Sequence, residues 1–363
     1  MPMIEKSFFG GATPSGFQTQ LAQAVSGKEY YTYILKGGSG TGKSSMMKKV
    51  AERFAKSERV TCFYCSLDPD SLDAVMMHAS KAILVDGTPP HVFEPQFPGV
   101  CQEIVDLGQY WDKAILRDNR EKIIKASELS KSMSAGAANY NKALGLICDD
   151  TYICAKGFVD RRRIEEAARN FCNRLFGNRE RRTRRGGQAV RQLSVMTSCG
   201  YATLLDAAES CRRFYILEDK LFAASSMFIG IAAAQAMECG YDTELSPCLL
   251  SEEPISEHLL IDGLGTALMT SNPLTRIANE KAECIDCSMF YDTDRMQPYE
   301  RHLATNRSLI DAIAGSSREM LEDAKRTHDE VEQYYISAMD FDAIDSVCER
   351  ICEEITRRAQ AIN

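Results

Sequence analysis

The chain has 363 residues, of which 44% are hydrophobic and 26% charged, and its formal net charge at pH 7 is −8. These proportions are typical of a globular protein and exclude a disordered or fibrous chain, and the length is sufficient for two domains. The sequence contains no apolar run of the roughly 20 residues that a membrane-spanning helix needs, and its N-terminus lacks a signal-peptide pattern. We therefore expect a cytoplasmic protein that has no membrane span.

The first third of the chain alternates between predicted strands and predicted helices. The main elements are strands at residues 31–36, 60–66 and 81–86 and a helix at residues 42–56. The segment DSLDAVMM, residues 70–77, predicts a further short helix, which Asp70 or Asp73 would cap. Such alternation is typical of an α/β fold in which helices cover a mainly parallel sheet.

Long helices follow in both halves of the chain. The first half is predicted to be helical from residue 110 to residue 175, and the second half carries predicted helices at residues 307–338 and 342–359. Each half therefore combines a small α/β sheet with a helical appendage. Three or four strands are recognisable in each half, which leaves open whether the two halves share a sheet edge.

Five short segments recur in the same order in both halves, which indicates a tandem duplication. The pairs are TPSGF (13–17) with TSCGY (197–201), YIL (33–35) with YIL (215–217), SSM (44–46) with SSM (225–227), LVDG (84–87) with LIDG (260–263), and EIVDLGQYWD (103–112) with ECIDCSMFYD (283–292). We therefore predict two domains of the same fold, at residues 1–186 and 187–363. A feature kept in both copies is expected to serve the fold, whereas a feature of one copy is expected to serve chemistry.

The two repeats differ in charge, because the first has an excess of basic residues and the second an excess of acidic ones. Much of the basic excess lies between Arg161 and Arg191. We interpret this cluster as a solvated connector that also attracts the acidic second repeat. A lid that faces a phosphate is an open alternative, and the lack of interleaved aromatic residues argues against nucleic acid.

The 14 cysteines are scattered through both repeats, which predicts reduced and mostly buried thiols. Cys62 and Cys65 lie on a predicted strand, where their side chains would face opposite sides, so this CxxC pair is a poor metal site. Cys284 and Cys287 align with apolar residues of the first repeat. We therefore expect the second pair to be buried rather than to bind zinc.

The segment KGGSGTGKSS, residues 36–45, breaks an apolar strand with glycines and opens a helix with a lysine and two serines. It matches the pattern GxxxxGK[ST] in the structural context that this motif requires. Glycines allow backbone N–H groups to wrap a polyphosphate closely, and the helix N-terminus adds partial positive charge. The residues assigned to nucleotide binding are Gly37, Gly38, Ser39, Gly40, Thr41, Gly42, Lys43, Ser44 and Ser45.

The second repeat lacks this loop. It keeps the strand FYIL and the serines but reads EDKLFAA where the first repeat reads KGGSGTGK. Since the same fold tolerates the loss of every loop glycine and of the lysine, a ligand explains the loop of the first repeat better than the turn does. In the first repeat, Lys43 would reach the β- and γ-phosphates, Ser44 would bind Mg²⁺ and Ser45 would meet the α-phosphate.

On these residues, the first repeat resembles the P-loop NTPase superfamily, and the whole chain resembles bacterial ATPases in which two such domains lie in tandem. The segments DPDSLD and DGTPPH extend the resemblance beyond the loop. It implies an α/β protein of two P-loop-like three-layer domains with mainly parallel sheets, each with a helical appendage. The loop of the second domain is degenerate, so one nucleotide site is expected.

Carboxylates near the loop complete the predicted site. The strand AILVDG has the form of a Walker B motif, in which Asp86 would hold Mg²⁺ through water. Its aligned partner Asp262 persists without a P-loop, which gives Asp86 a structural share as well. Asp68 and Asp70 are candidates to polarise a water or an acceptor hydroxyl, and His91 is a candidate found only in the first repeat. The predicted catalytic residues are Lys43, Asp86, Asp68, Asp70 and His91.

We expect a Mg²⁺-dependent ATPase whose hydrolysis drives a conformational change between the repeats, with Arg161–Arg163 as a candidate arginine finger. A small-molecule or nucleotide kinase is a second hypothesis, because DGTPPH loosely resembles the Asp-Gly-x-Pro segment of nucleotide kinases. A nucleotide-sensing switch with negligible turnover is a third. No motif distinguishes ATP from GTP, and none identifies the protein partner or the acceptor.

Overall fold

A computed structural model gives the structure of the protein and describes residues 4–14, 16–19, 21–89, 92–177 and 184–362. The strands are β1 (Ile4–Phe8), β2 (Gly10–Thr13), β3 (Gly16–Thr19), β4 (Tyr31–Lys36), β5 (Val60–Tyr64), β6 (Leu72–Met77), β7 (Ala82–Asp86), β8 (Gln102–Asp106), β9 (Gln188–Val190), β10 (Ser194–Thr197), β11 (Gly200–Thr203), β12 (Arg213–Glu218), β13 (Thr243–Pro247), β14 (Ser256–Ile261), β15 (Thr266–Ser271) and β16 (Glu283–Asp286). The helices are α1 (Ala22–Ser26), α2 (Lys43–Phe54), α3 (Lys113–Asp118), α4 (Arg120–Lys156), α5 (Arg161–Phe176), α6 (Asp206–Glu209), α7 (Ala223–Glu238), α8 (Thr293–Met296), α9 (Glu300–Ile336) and α10 (Phe341–Ile362). Within these ranges, no helix combines the length and the apolar composition that crossing a bilayer requires.

Each repeat builds its own six-stranded mixed sheet from the described residues, and the two sheets have the same strand order. The first sheet runs β1-β5-β6-β7-β4-β8, and the second runs β9-β13-β14-β15-β12-β16. In both sheets three neighbouring pairs are parallel and two are antiparallel. The α/β class is therefore confirmed, and the shared order supports the duplication.

The first repeated segment forms the same turn in both copies. The hydroxyl of Thr13 donates to the carbonyl of Gly16 at 2.6 Å, and the hydroxyl of Thr197 donates to the carbonyl of Gly200 at 2.8 Å. Both glycines have a positive φ, +121° and +104°, which is a conformation that L-residues avoid. The segment is kept in both copies because this turn needs both a hydroxyl and a glycine.

Strand β4 is buried on both faces, which explains its continuous apolar sequence. Tyr33 and Leu35 point into a core that they share with α2 and α10. Ile34 points into the opposite core, which includes Leu21 and Val25 around α1. Because β4 lies inside the sheet and has a packed core on each side, its carboxyl end, where the glycine loop begins, is fixed in place.

The chain divides into two compact units, and each unit contains residues of both repeats. The first unit comprises Met1–Gly10, Phe17–Ala137 and Glu319–Asn363, and the second comprises Gly11–Gly16 and Ala138–Arg318. These units do not coincide with the predicted domains at residues 1–186 and 187–363. The reason is the length of α4 and α9, 37 residues each, since both helices belong partly to each unit. Consequently α10, the last helix of the second repeat, packs in the core of the first sheet.

One predicted element is wrong. Residues Leu72–Met77, within the segment DSLDAVMM, form strand β6 instead of a short helix. Antiparallel pairing of β6 with β5 and β7 puts it inside the sheet, and all six of its residues are buried. A short apolar run gives no helical or strand period when both faces are buried, so tertiary pairing decided its structure. The expected helix-capping role of Asp70 and Asp73 therefore does not apply.

The cysteine predictions are partly confirmed. Cys62 is buried in β5, and Cys287 is completely buried in the 3-10 helix Cys287–Phe290. Cys284, which was expected to be buried, is exposed. It lies on β16, an edge strand, where one side of the strand faces solvent, as at Ile104 on the corresponding edge strand β8.

The packing of α10 on the first sheet gives a stability prediction. Replacing Ile351, which is completely buried against this sheet, with Ala should lower the free energy of unfolding by about 3 kcal/mol. Trp111 is the single tryptophan and lies in the first unit, so its fluorescence during urea unfolding reports on that unit. Ile124→Ala, at a half-exposed position of α4, is the control and should have little effect. Equal losses in the two variants would contradict the assignment of α10 to this core.

Candidate functional site

The loop between β4 and α2 contains two glycines in the left-handed region of backbone space. Gly40 has a φ of +71°, and Gly42, the residue before α2, has a φ of +82°. The loop is also tightly wrapped, because a Cβ atom at Gly37 would lie 2.7 Å from the Thr41 hydroxyl oxygen. This backbone path therefore favours glycine at these three positions.

Lys43, the first residue of α2, folds back over the loop. Its side chain is almost completely buried, and its Nζ donates to the carbonyls of Gly37 at 3.0 Å and Gly38 at 2.8 Å. Asp86 Oδ2 lies 3.6 Å from the same Nζ. The ammonium group is thus fixed at the centre of the loop, next to the end of the neighbouring strand β7.

Asp86 ends β7, which pairs in parallel with β4. Its Oδ1 accepts from the backbone N–H of Thr88 at 2.8 Å and from the Thr88 hydroxyl at 2.5 Å, which leaves Oδ2 on the Lys43 side. Of the predicted residues, the structure therefore brings together the glycine loop, the lysine and this carboxylate.

The predicted alignment of LVDG with LIDG is wrong. LVD ends β7, whereas LI ends β14, which occupies the sheet position of β6. The sheet register shows the true counterpart, since Leu35 pairs with Asp86 in the first sheet and the equivalent Leu217 pairs with Thr270 in the second. Asp86 is therefore a feature of one repeat, and Asp262 gives no reason to assign it a structural share.

Ser44 lies one residue after Lys43 and fixes α2 to the sheet. Its hydroxyl oxygen accepts from the backbone N–H of Leu72 on β6 at 3.0 Å. A bond of the same kind occurs in the second repeat, where Ser226, one residue after the aligned Ser225, accepts from the N–H of Ser256 at 3.0 Å. This bond is thus part of the fold, and it occupies one of the two lone pairs of the Ser44 oxygen.

The remaining predicted catalytic residues are dispersed. Asp68 accepts from the Ser71 hydroxyl at 2.6 Å and lies 3.7 Å from Lys325 Nζ. Asp70 is exposed in the turn before β6. Asp73 is buried on β6 beside Cys65, whose pKa is raised well above its usual value, first by burial and then by this carboxylate. His91 lies outside the described residues, so its prediction is untested.

The second half of α9 lies against the loop, which the sequence did not predict. His328 Nε2 lies 2.8 Å from the Ser39 hydroxyl, and Glu332 Oε1 accepts from the backbone N–H of Gly40 at 3.1 Å. The ring of Tyr335 packs so closely on Gly38 that a Cβ there would lie 2.8 Å from it. All of these residues belong to the first unit, so part of the second repeat covers the loop of the first.

Comparison of the repeats could have revealed this helix face. Helices α4 and α9 have equal lengths and align over residues 120–156 and 300–336. His328, Glu332 and Tyr335 then correspond to residues 148, 152 and 155, which are Cys, Tyr and Ala. Those three side chains are buried in the second unit. The His and Glu of this helix face are therefore present in only one of the two copies. The glycine loop was recognised by the same criterion, since it too is present in only one copy.

The same face contains the one group in the described part of the chain whose His, Cys, Asp or Glu ligand atoms converge within 4.8 Å, namely His328, Asp329 and Glu332. Asp329 Oδ2 lies 2.8 Å from Lys325 Nζ, and the other two residues contact the loop. Each of the three is therefore engaged by a neighbour, and we assign the group to the contact with the loop.

The corresponding loop of the second repeat supplies its own hydrogen-bond acceptor. The carboxylate of Asp219 accepts from the backbone N–H groups of Leu221 at 2.9 Å and Ser225 at 2.8 Å, and from the hydroxyl of Tyr291 at 2.9 Å. Phe222 occupies the helix-capping position with a φ of +66°, a strained value for a bulky residue. The carboxylate takes the donors at the N-terminus of α7, so this loop has no free donors for a phosphate at Leu221 or Ser225.

A buried acid on β14 has a strongly shifted pKa, but we assign it a structural role. Glu257 is completely buried, accepts from the Tyr201 hydroxyl at 2.7 Å, and has a pKa raised by burial to about 7. Sheet register places it at the position that Asp73 holds on β6, so both repeats bury an acid there. Since it is inaccessible and kept in both copies, we assign it to the fold.

The arginine-rich segment contributes to the second unit where it is described. Arg184 pairs with Asp242 at 2.8 Å, and Arg191 pairs with Glu244 at 2.9 Å. Arg161–Arg163 form the first turn of α5 and are exposed in the same unit, whereas the glycine loop belongs to the first unit. Residues 178–183 of this segment lie outside the described residues.

Comparisons of the chain with protein-family models, with curated proteins and with solved structures found no match. Its function must therefore be argued from its own residues.

Glu257 gives a pH prediction. Its pKa is higher in the folded chain than the usual 4.5, so the proton stabilises the fold fully below pH 4.5, and this contribution is lost as pH rises through about 7. Across this window the chain should lose about 3 kcal/mol of stability on this account. Glu257→Gln should abolish the loss, as measured by thermal unfolding at both ends of the window.

The neighbouring His258 changes stability with pH in the opposite direction. Burial lowers its pKa to about 3, so its contribution to stability is lost as pH falls below the usual 6.5. Comparing Glu257→Gln with the native chain at each pH cancels this effect. Glu252→Gln, at an exposed position, should keep the native profile. An unchanged profile in Glu257→Gln would contradict the burial of a protonated acid.

Proposed function

We propose that the protein is a Mg²⁺-dependent P-loop nucleoside triphosphatase, with ATP as the expected substrate and a single nucleotide site in the first repeat. The observation that carries the proposal is the position of Lys43, which folds over a loop of left-handed glycines and lies 3.6 Å from Asp86 at the end of the adjacent parallel strand. This arrangement places a cation, a carboxylate and the N-terminus of α2 at one point of the sheet, where a polyphosphate with its metal is accommodated by all three.

The second repeat supports this proposal as an internal comparison. It has the same sheet and a helix at the same place, but it lacks the lysine, has Thr270 where the first repeat has Asp86, and satisfies its helix N-terminus with Asp219. The fold therefore does not need Lys43 or Asp86. Two charged residues that the fold does not need, brought together at one loop, are best explained by a ligand.

The donors for Mg²⁺ fit the metal. Ser44 and Asp86 offer oxygen ligands, which are the type that Mg²⁺ prefers. The Ser44 hydroxyl keeps one lone pair after accepting from Leu72, and Oδ2 of Asp86 is not used by Thr88. The bound ion would neutralise charge on the phosphate oxygens.

In this proposal Lys43, the loop amides and Asp68 each have a role in hydrolysis. The Lys43 ammonium supplies a fixed positive charge, and the loop amides donate to the phosphates. Asp68, which Ser71 orients, is the candidate to accept the proton of the attacking water. Lys325, which contacts Asp68, lies about one helical turn before His328, which contacts Ser39. The same face of α9 therefore contacts both the candidate base and the loop.

The first test is Lys43→Ala. Because the variant loses a charge-assisted contact to the phosphates, the dissociation constant for Mg·ATP should rise roughly 10- to 100-fold. Isothermal titration calorimetry measures this constant directly. Lys220→Ala, in the loop of the second repeat, is the matched control and should bind as the native chain does. Equal affinity in Lys43→Ala and the native chain would refute a P-loop site here.

The second test is Asp86→Asn, which retains an oxygen for the bonds from Thr88 but removes the charge that would hold the metal. Phosphate release at saturating Mg·ATP should fall by about 100-fold, since one preorganised electrostatic contact is lost. Asp262→Asn, at the residue that sequence alone had aligned with Asp86, should retain full activity. A loss in Asp262→Asn equal to that in Asp86→Asn would remove the distinction between the repeats.

A further inference from the structure

We propose that α9 is a closing element of the nucleotide site, in which the carboxylate of Glu332 takes an anion position of the loop and must leave before the phosphates bind. The inference rests on the proposed function and adds a mechanism of regulation to it. Its basis is the hydrogen bond of 3.1 Å from the backbone N–H of Gly40 to Glu332 Oε1. A loop amide has a single hydrogen, so a carboxylate and a phosphate oxygen compete for it.

The second repeat contains a permanent version of the same contact. There Asp219 belongs to the loop itself, is completely buried, and accepts from two backbone N–H groups and a tyrosine hydroxyl. Glu332 instead reaches the loop from a separate helix, is half-buried, and accepts from one loop amide. A single contact from another element is released far more easily, which makes Glu332 a displaceable acceptor and Asp219 a fixed one.

Close backbone packing shows that the contact is specific to this loop. A Cβ at Gly40 would lie 2.7 Å from the backbone carbonyl oxygen of Glu332, and one at Gly38 would lie 2.8 Å from the Tyr335 ring. The lack of a side chain at Gly38 and Gly40 therefore leaves the space in which α9 packs. A side chain at either position would push the helix away even if the loop itself kept its shape.

The other contacts of this helix face are of the kind that a ligand can break. Lys325 lies between Asp68 and Asp329, and His328 meets Ser39. These side chains are partly exposed, and such pairs contribute little to stability. These polar contacts are therefore weak, and the apolar part of the contact is the packing of the Tyr335 ring on Gly38 and on the Trp111 ring, whose centroid lies 5.5 Å away.

The test is the affinity for Mg·ATP of Glu332→Ala, measured by calorimetry beside the native chain and Lys43→Ala. Removal of the competing carboxylate should lower the dissociation constant about tenfold, which is the factor of one charge-assisted hydrogen bond. Glu332→Gln, which retains a neutral acceptor, should fall between Glu332→Ala and the native chain. Glu330→Ala, on the exposed side of the same helix, is the control and should not change the affinity.

Hydrogen exchange gives a second measurement on the native chain. Saturating Mg·ATP should speed amide exchange in residues 325–336, since the helix loses its contacts with the loop, whereas a ligand that merely docks beside α9 would slow it. Slower or unchanged exchange there overturns the inference.

The outcomes separate the two claims. If the native chain binds Mg·ATP, Lys43→Ala binds it more weakly as expected, and Glu332→Ala has the affinity of the native chain, the site stands and the closing role of Glu332 is wrong. If neither the native chain nor Glu332→Ala binds, the proposed function is wrong and the closing role falls with it.

Discussion

The turn from a strand into a helix leaves backbone N–H groups that the helix cannot satisfy, and this need for an acceptor dominates the present structure. Both repeats have such a turn at the same point of their sheets. The second repeat satisfies it with Asp219 from the turn itself. In the first repeat a carboxylate from α9, Glu332, accepts from Gly40. Gly40 lies three residues before the start of α2, so the acid in the first repeat meets the loop rather than the first turn of the helix, and it belongs to a separate element.

Comparison of the two repeats separates residues that maintain the fold from residues that the fold does not need. Asp106 and Asp286 cap the 3-10 helices that follow β8 and β16, by accepting from backbone N–H groups two residues later. The kept segment EIVDLGQYWD is thereby explained by local hydrogen bonding. Lys43 and Asp86 have no counterpart of the same chemistry in the second repeat, although both sheets have the same order. The differences between the two copies include the loop, the end of β7 and the face of α9 that contacts the loop.

Sequence alone predicted the parts of the fold that are set by local chemistry. The strand β4, the helix α2 and the glycine loop between them follow from an apolar run, from helix-forming residues and from the conformations that glycine permits. The sequence did not predict that Leu72–Met77 form a strand, because six consecutive buried residues show neither helical nor strand periodicity. Nor did it predict the correct partner of Asp86, since the similar strings LVDG and LIDG belong to different strands and only the sheet register separates them. The location of α10 was equally inaccessible, because an amphipathic helix does not encode which sheet it will cover.

The charges around the loop bear on why the acceptor in the first repeat is carried by a separate element, α9. In the closed arrangement Lys43 lies beside Asp86, and Lys325 lies between Asp68 and Asp329, so two lysines face three carboxylates. Glu332 adds a negative charge at the loop, where it accepts from Gly40. Under the proposed function, an incoming triphosphate meets both the occupied amide and this charge. Departure of one side chain removes both obstacles at once, because the same carboxylate that blocks the donor also repels the phosphate. A permanent acid such as Asp219 excludes an anion by the same physics, so the two repeats differ less in chemistry than in where the acid is attached.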